Sequence, residues 1–202
     1  MKGVFNSPRR KRNWHPHAYY HVSMRGNNRQ NIFQTEEDIT ELMRIFEYGA
    51  AKDGYTMLAY CVMSNHYHLL IRSEYVDLAK VMARINRRYS DYYAKRYAHV
   101  GRIYEKRYFS KQANGPNAIL AISSYIHRNP IDTLIPIVEK PEDYPYSSFR
   151  YYANENLTPP SFLRTNVVAN FLPNPIDKTN QDYCQYCLTY KQTAEEDKQL
   201  EV

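Results

Sequence analysis

The chain predicts an α+β fold in which amphipathic helices pack on an antiparallel sheet. Residues 55–63 and 66–73 are apolar runs of strand length separated only by Ser64 and Asn65. A link that short joins strands as an antiparallel hairpin. Residues after Thr35 and after Asp77 instead repeat apolar side chains at spacings of three and four, the pattern of one helical face. The 43 % apolar content suffices for a core, yet no apolar stretch approaches the roughly 20 residues needed to span a bilayer.

Taken in order, residues 1–16 read as a basic arm around Arg9, Arg10, Lys11 and Arg12, with no apolar period. Residues 18–25 have the aromatic and β-branched content of a strand, ended by the turn-forming Gly26-Asn27-Asn28. Thr35 is an N-cap, with Glu36, Glu37 and Asp38 complementing the helix dipole; Ile39, Leu42, Met43, Phe46 and Ala50 form the buried stripe, and Gly54 terminates. The hairpin follows, its apolar content on both faces placing both strands centrally in the sheet. Asp77 caps a second helix running to about Tyr97, with Leu78, Val81, Met82, Ile85, Tyr89 and Tyr92 facing the core. Residues 101–112 are a strand or an extended basic-aromatic segment. Asn117 offers the N-cap of a third helix, Ala118 to Arg128, which Pro130 brings to an end near Asn129. Beyond it the chain is looser and rich in proline. The organisation expected is an arm (1–16), a catalytic body (17–130) and an accessory wrap with a polar helical tail (131–202), without internal repeats.

Composition narrows the partners. Net charge is +6 and the chain holds 21 tyrosines. The first favours a polyanionic partner. The second has two readings: tyrosines half-buried in a small core, or aromatic faces interleaved with cations on which unpaired bases stack. On the second helix Lys80, Arg84, Arg87 and Lys95 form a largely positive face, a candidate phosphate track. Arg25, at a strand end beside the turn, and Arg107 are further candidates for DNA contact, with Arg9, Arg10 and Arg12 of the arm. Cys61, Cys184 and Cys187 do not make a disulfide framework, and the single C-x-x-C lacks the second pair that a zinc site requires. The N-terminal residues lack the apolar core of a secretory signal, so an intracellular, cytoplasmic protein is expected.

The stretch Met63-Ser64-Asn65-His66-Tyr67-His68-Leu69 carries the chemistry. On a strand, residues two apart share a face, so His66 and His68 project side by side, an arrangement suited to one divalent ion. Alone the pair is a weak signal, since strand histidines are often structural. The third helix adds Tyr125 and Asn129, four apart and therefore on one face. An amide oxygen from Asn129 could complete the ligand set, and Tyr125 would lie beside a bound phosphate as a nucleophile. His21 either lines this site or is a hydrogen-bonded strand histidine. His127 lies on a different side of its helix from Tyr125 and is not assigned as a proton acceptor.

Tyr20-His21-Val22 with Arg25-Gly26-Asn27-Asn28-Arg29-Gln30, the segment Cys61 to Ile71, and Tyr125-Ile126-His127-Arg128-Asn129-Pro130 together resemble the HUH single-tyrosine transposases of the IS200-like group. The branch called REP-associated tyrosine transposases is the nearest in motif. Asp143-Tyr144-Pro145-Tyr146-Ser147-Ser148 resembles that branch's downstream motif, and the likeness spans about residues 17–150. Tyr67 departs from the usual apolar residue between the histidines.

The resemblance implies a ferredoxin-like or RRM-like antiparallel sheet and metal-dependent cleavage and joining of single-stranded DNA near hairpins. His66, His68 and Asn129 would be ligands of Mg²⁺ or Mn²⁺, and Tyr125 the nucleophile that forms a 5′-phosphotyrosine. Asn rather than Gln at the third ligand position favours the repeat-associated branch. Monomer and homodimer both remain open. A non-catalytic binder of structured nucleic acid is the competing reading, and a relaxase or replication initiator a third.

Overall fold

The computed structural model describes residues 13–190. Its body runs β1 (Tyr20–Arg25), α1 (Glu36–Asp53), β2 (Tyr55–Val62), β3 (His66–Ser73), α2 (Leu78–Tyr97), β4 (Phe109–Gln112) and α3 (Gly115–Arg128). The four strands form one antiparallel sheet in the order β2-β3-β1-β4. A β-α-β-β-α-β chain with that strand order is the ferredoxin-like arrangement. Two short helices, α4 (Arg150–Ala153) and α5 (Asn180–Thr189), belong to the C-terminal region.

Strand alternation divides the core into two layers. Val22, Met24, Tyr67, Leu69 and Ile71 point to one face, where α1 and α2 cover them with Leu42, Phe46, Val81, Met82, Ile85 and Tyr89. The opposite face carries Leu70, Ala59 and Cys61 against Leu120, Ile122 and Ile126 of α3. Tyr93 rather than Tyr92 completes the buried stripe of α2. Tyr92 instead turns its hydroxyl to Asp38 (2.9 Å), joined there by Tyr97 (2.7 Å). The Asp38 carboxylate also accepts from the backbone N–H of Thr35 (3.1 Å), so one buried acid caps α1 and ties it to α2.

The prediction that both hairpin strands are central holds for β3 and fails for β2, which is an edge strand by position. It is apolar on both faces because the C-terminal region covers its edge. Ser148 N–H donates to the Tyr60 carbonyl (2.9 Å), Val62 N–H to Tyr146 (3.0 Å) and Met57 N–H to Phe162 (2.8 Å). Residues 144–164 thus do for the sheet what another strand would, and remove an exposed edge. At the other end, Trp14 donates its indole N–H to the Ser73 carbonyl (3.1 Å), which anchors the end of the basic arm to β3. Arg9, Arg10 and Arg12 lie outside the described residues.

Helix α3 begins at Gly115, earlier than Asn117 would place it, because Pro116 sits in the first turn, where its missing N–H costs nothing. The tyrosines are largely core pegs. Tyr55, Tyr89, Tyr144 and Tyr152 each donate a hydroxyl to a main-chain carbonyl, at 2.6, 2.5, 2.8 and 2.6 Å. Amphipathic rings of this kind fill the core and satisfy backbone groups together. Cys184 and Cys187 lie on α5 with thiol pKa values pushed up to about 12 by burial, so both are inert thiols. Among the described residues, no helix is long and apolar enough to cross a membrane.

Candidate active site

The site grows from the sheet face that α3 covers. On β3, His66 and His68 point toward it while Tyr67 is fully buried on the other face, so the unusual tyrosine between the histidines serves as core. The register sets Ser23 opposite His68 and Arg25 opposite His66, so His21, Ser23 and Arg25 of β1 share the face. The turn after β1 is drawn tight against the β2–β3 link: Gly26 N–H donates to the Asn65 carbonyl at 2.8 Å. A Cβ on residue 26 would come within 2.3 Å of the Gln30 carbonyl oxygen, so only glycine permits this approach.

Tyr125 and Asn129 enter from α3. The Tyr125 ring lies 5.2 Å from His68 and 5.7 Å from His21, centroid to centroid and edge-on to both. Asn129 caps the helix and keeps αR dihedrals despite the following proline, so it stays one turn beyond Tyr125. Its side chain is in reach of His66 and pulls the pKa of that imidazole upward. The four residues singled out by sequence therefore converge.

Each histidine of the pair has its Nδ1 occupied. His66 Nδ1 lies 2.6 Å from Asn65 Oδ1, and Asn65 in turn donates its amide to the Arg29 carbonyl (3.1 Å). His68 Nδ1 lies 2.9 Å from His21 Nε2. Asn65 and His21 are the partners that sequence reasoning passed over or left undecided. The signal for the second lies in the His21-x-Ser23-x-Arg25 alternation, which puts His21 on the face of the histidine pair. His68 Nε2 is buried without a hydrogen-bond partner.

Burial, with Arg25 adding its positive charge, lowers the His66 pKa from 6.5 to about 4, against a smaller upward pull from Asn129. His68 is held well below 6.5 by burial, then by its neighbours His66, His21 and Arg25. Both rings are neutral at pH 7, the state in which imidazole ligates a metal. Two neutral imidazoles, one with an orphaned ring nitrogen, and a carboxamide in reach of the other fit a small divalent cation.

The same burial makes the metal-free fold sensitive to acid. The pKa of His21 is lowered to about 3, and that of His127, on the far side of α3, also to about 3, in both cases chiefly by desolvation. A folded-state pKa below the unfolded value leaves stability intact above about pH 6.5 and erodes it as pH falls toward the folded pKa, because the unfolded chain takes up the proton first. Urea titrations in EDTA at pH 7.5 and 5.0 should show a loss of roughly 2 kcal/mol for each such histidine. Equal stability at the two pH values would contradict the buried neutral state.

The basic candidates divide. Arg25 borders the site. Lys80, Arg84, Arg87 and Lys95 lie on α2, which packs on the opposite face of the sheet, so the structure does not bring them to the histidines. Arg84 is engaged with the buried carboxylate of Asp53 at 3.0 Å, and exposed Arg87 lies 3.9 Å from Asp91. Arg107 lines a polar cleft of about 750 Å³ with Arg102, Tyr104 and Lys106, beside Ser90 of α2 and Met24 of β1.

The fold and the convergent residues define a class: a ferredoxin-like domain with a histidine pair on its central strand and a tyrosine on a helix across it. The IS200-like transposase family model matches residues 15–129, more than half of the chain. The chain belongs to the IS200-like transposase family. Among solved structures, it is similar in fold to a REP-associated tyrosine transposase bound to a REP hairpin. That match has 15 % identity and a TM-score of 0.60, covering 76 % of this chain and 89 % of the other. No curated protein matches the chain.

Proposed function

We propose that the protein is a metal-dependent endonuclease and strand transferase acting on single-stranded DNA beside hairpins. The observation that carries this reading is the placement of Tyr125, its ring 5.2 Å from that of His68, one helical turn from Asn129, whose side chain is in reach of His66. His66, His68 and Asn129 would hold Mg²⁺ or Mn²⁺, which when bound polarises a phosphodiester and stabilises the charge developing on it.

Tyr125 Oη attacks the phosphorus and displaces the 3′-oxygen of the preceding nucleotide. The phenolic proton passes to water and the leaving oxygen is protonated, giving a 5′-phosphotyrosine and a free 3′-hydroxyl. The bond energy is conserved in the ester, so a second 3′-hydroxyl can reverse the step without ATP. Arg25, opposite His66 in the β1–β3 register, would steer the phosphate toward the tyrosine through its guanidinium. The hairpin preference is suggested by the fold shared with the hairpin-bound transposase, and the +6 charge supports a nucleic-acid partner.

Labelled hairpin oligonucleotides with single-stranded flanks, incubated with Mn²⁺, should give a covalent protein–DNA adduct on a denaturing gel that EDTA prevents. Tight hairpin binding that ignores EDTA, with no adduct in any divalent metal, would instead identify a binding protein on the same fold.

A further inference from the structure

His21 is at 0 % exposure and His68 at 1 %, with His21 Nε2 and His68 Nδ1 2.9 Å apart and the two rings stacked at an interplanar angle of 22°. One proton lies between those nitrogens, and it has two possible owners. If His21 Nε2 carries it, His68 accepts at Nδ1 and must bear its own proton on Nε2, leaving no lone pair facing the site. If His68 Nδ1 carries it, His68 Nε2 presents a lone pair. His68 Nε2 and His21 Nδ1 are both buried without a partner, and in the second arrangement His21 keeps its own proton on Nδ1 while His68 Nε2 is the lone pair on the side of Tyr125. His66 shows the same division, with Nδ1 engaged by Asn65 at 2.6 Å. The two histidines are thus held alike through Nδ1, each by a neighbour able to accept.

We propose that His21 is a positioning residue: by accepting the Nδ1 proton of His68 it fixes the tautomer and ring plane that turn His68 Nε2 toward a divalent cation. The role rests on the metal-dependent reading above. An imidazole acceptor differs from a carboxylate in bringing no charge, so the ligand set stays neutral and the cation keeps its full charge for the phosphate. Phe109 and Tyr125 contact His21 edge-on, both at 5.7 Å, and hold the acceptor in place. The ring that orients the ligand therefore also touches the nucleophile. Its place on β1 is set by the same register that pairs Ser23 with His68.

The test uses the full chain without DNA, with Mn²⁺ for the titrations and diamagnetic Mg²⁺ for the NMR. Calorimetric or EPR titration of His21→Leu should show Mn²⁺ affinity reduced roughly 10- to 100-fold, the usual cost of losing a ligand's outer partner. His21→Gln retains an acceptor oxygen and should recover part of the loss. In the Mg²⁺-loaded parent, ¹⁵N NMR of the histidine rings should find the proton on His68 Nδ1. Finding it on His21 Nε2 overturns the role, and does so even if the leucine variant fails to fold. Equal Mn²⁺ affinity in the parent and a folded His21→Leu also overturns it, leaving the metal-dependent reading intact. A parent chain that takes up no Mn²⁺ overturns that reading, and the role with it.

Discussion

Tyr125→Phe is expected to abolish the covalent DNA adduct, with a loss of at least about 10³-fold in strand cleavage, while hairpin affinity stays within about twofold. The substitution removes one atom. The phenylalanine ring keeps the edge-on contacts with His68 at 5.2 Å and His21 at 5.7 Å, so the packing of α3 on the sheet is retained. What disappears is the hydroxyl of the ring that α3 brings edge-on to His68 and His21. The selective loss is diagnostic because catalysis and binding draw on different groups. In the proposed reaction, binding would rest on surface cations, whereas the covalent step needs a nucleophile in line with the phosphate. Denaturing gels and gel-shift titrations on the same hairpin separate the two. An adduct that persists in Tyr125→Phe would move the nucleophile to another residue.

Much of the site was legible in the sequence because it depends on short-range geometry. His66 and His68 share a face through the period of a strand, and Tyr125 and Asn129 through the period of a helix; neither relation needs tertiary information. The meeting of the two pairs did need it, and rested on the motif resemblance. The helix boundaries at Thr35, Gly54 and Asp77 were readable as capping chemistry for the same local reason. Misreadings came where distant chain intervenes. β2 looks central in sequence because residues 144–164 cover its edge, and no local pattern announces a partner some ninety positions away. The positive face of Lys80, Arg84, Arg87 and Lys95 is a separate matter: the sheet separates it from the histidines and Asp53 occupies Arg84, and a phosphate track there stays a proposal. His127, set aside as no proton acceptor, has a structural part that only the fold exposes.

His127→Leu is expected to cost about 3 kcal/mol of stability and to slow adduct formation about 100-fold under conditions where the variant is still folded. His127 is at 0 % exposure, two residues from both Tyr125 and Asn129. Its Nδ1 lies 2.8 Å from Tyr183 Oη on α5, and its Nε2 lies 2.7 Å from Ser148 Oγ. Ser148 Oγ accepts from Tyr60 N–H (2.8 Å) and donates to the Tyr60 carbonyl (3.2 Å) on β2. With the Nε2–H tautomer, donors and acceptors run without a break from α5 through α3 to the sheet edge, and every member is satisfied. The chain of bonds fixes α3 along its axis, and so fixes where Tyr125 and Asn129 meet the histidines. Leucine fills much of the volume but withdraws an acceptor from Tyr183 and a donor from Ser148, and a shift of α3 by about 1 Å suffices to misplace the nucleophile. The double variant His127→Leu/Tyr183→Phe removes the stranded hydroxyl as well and should recover about 1 kcal/mol relative to additivity in urea unfolding. Recovery of stability without recovery of adduct rate would separate the energetic from the positioning role, because the link from α5 to α3 is still missing. A His127→Leu chain that forms adduct at the parental rate would show that packing alone, through Ile122 and Ile126 against the sheet, holds α3 in place.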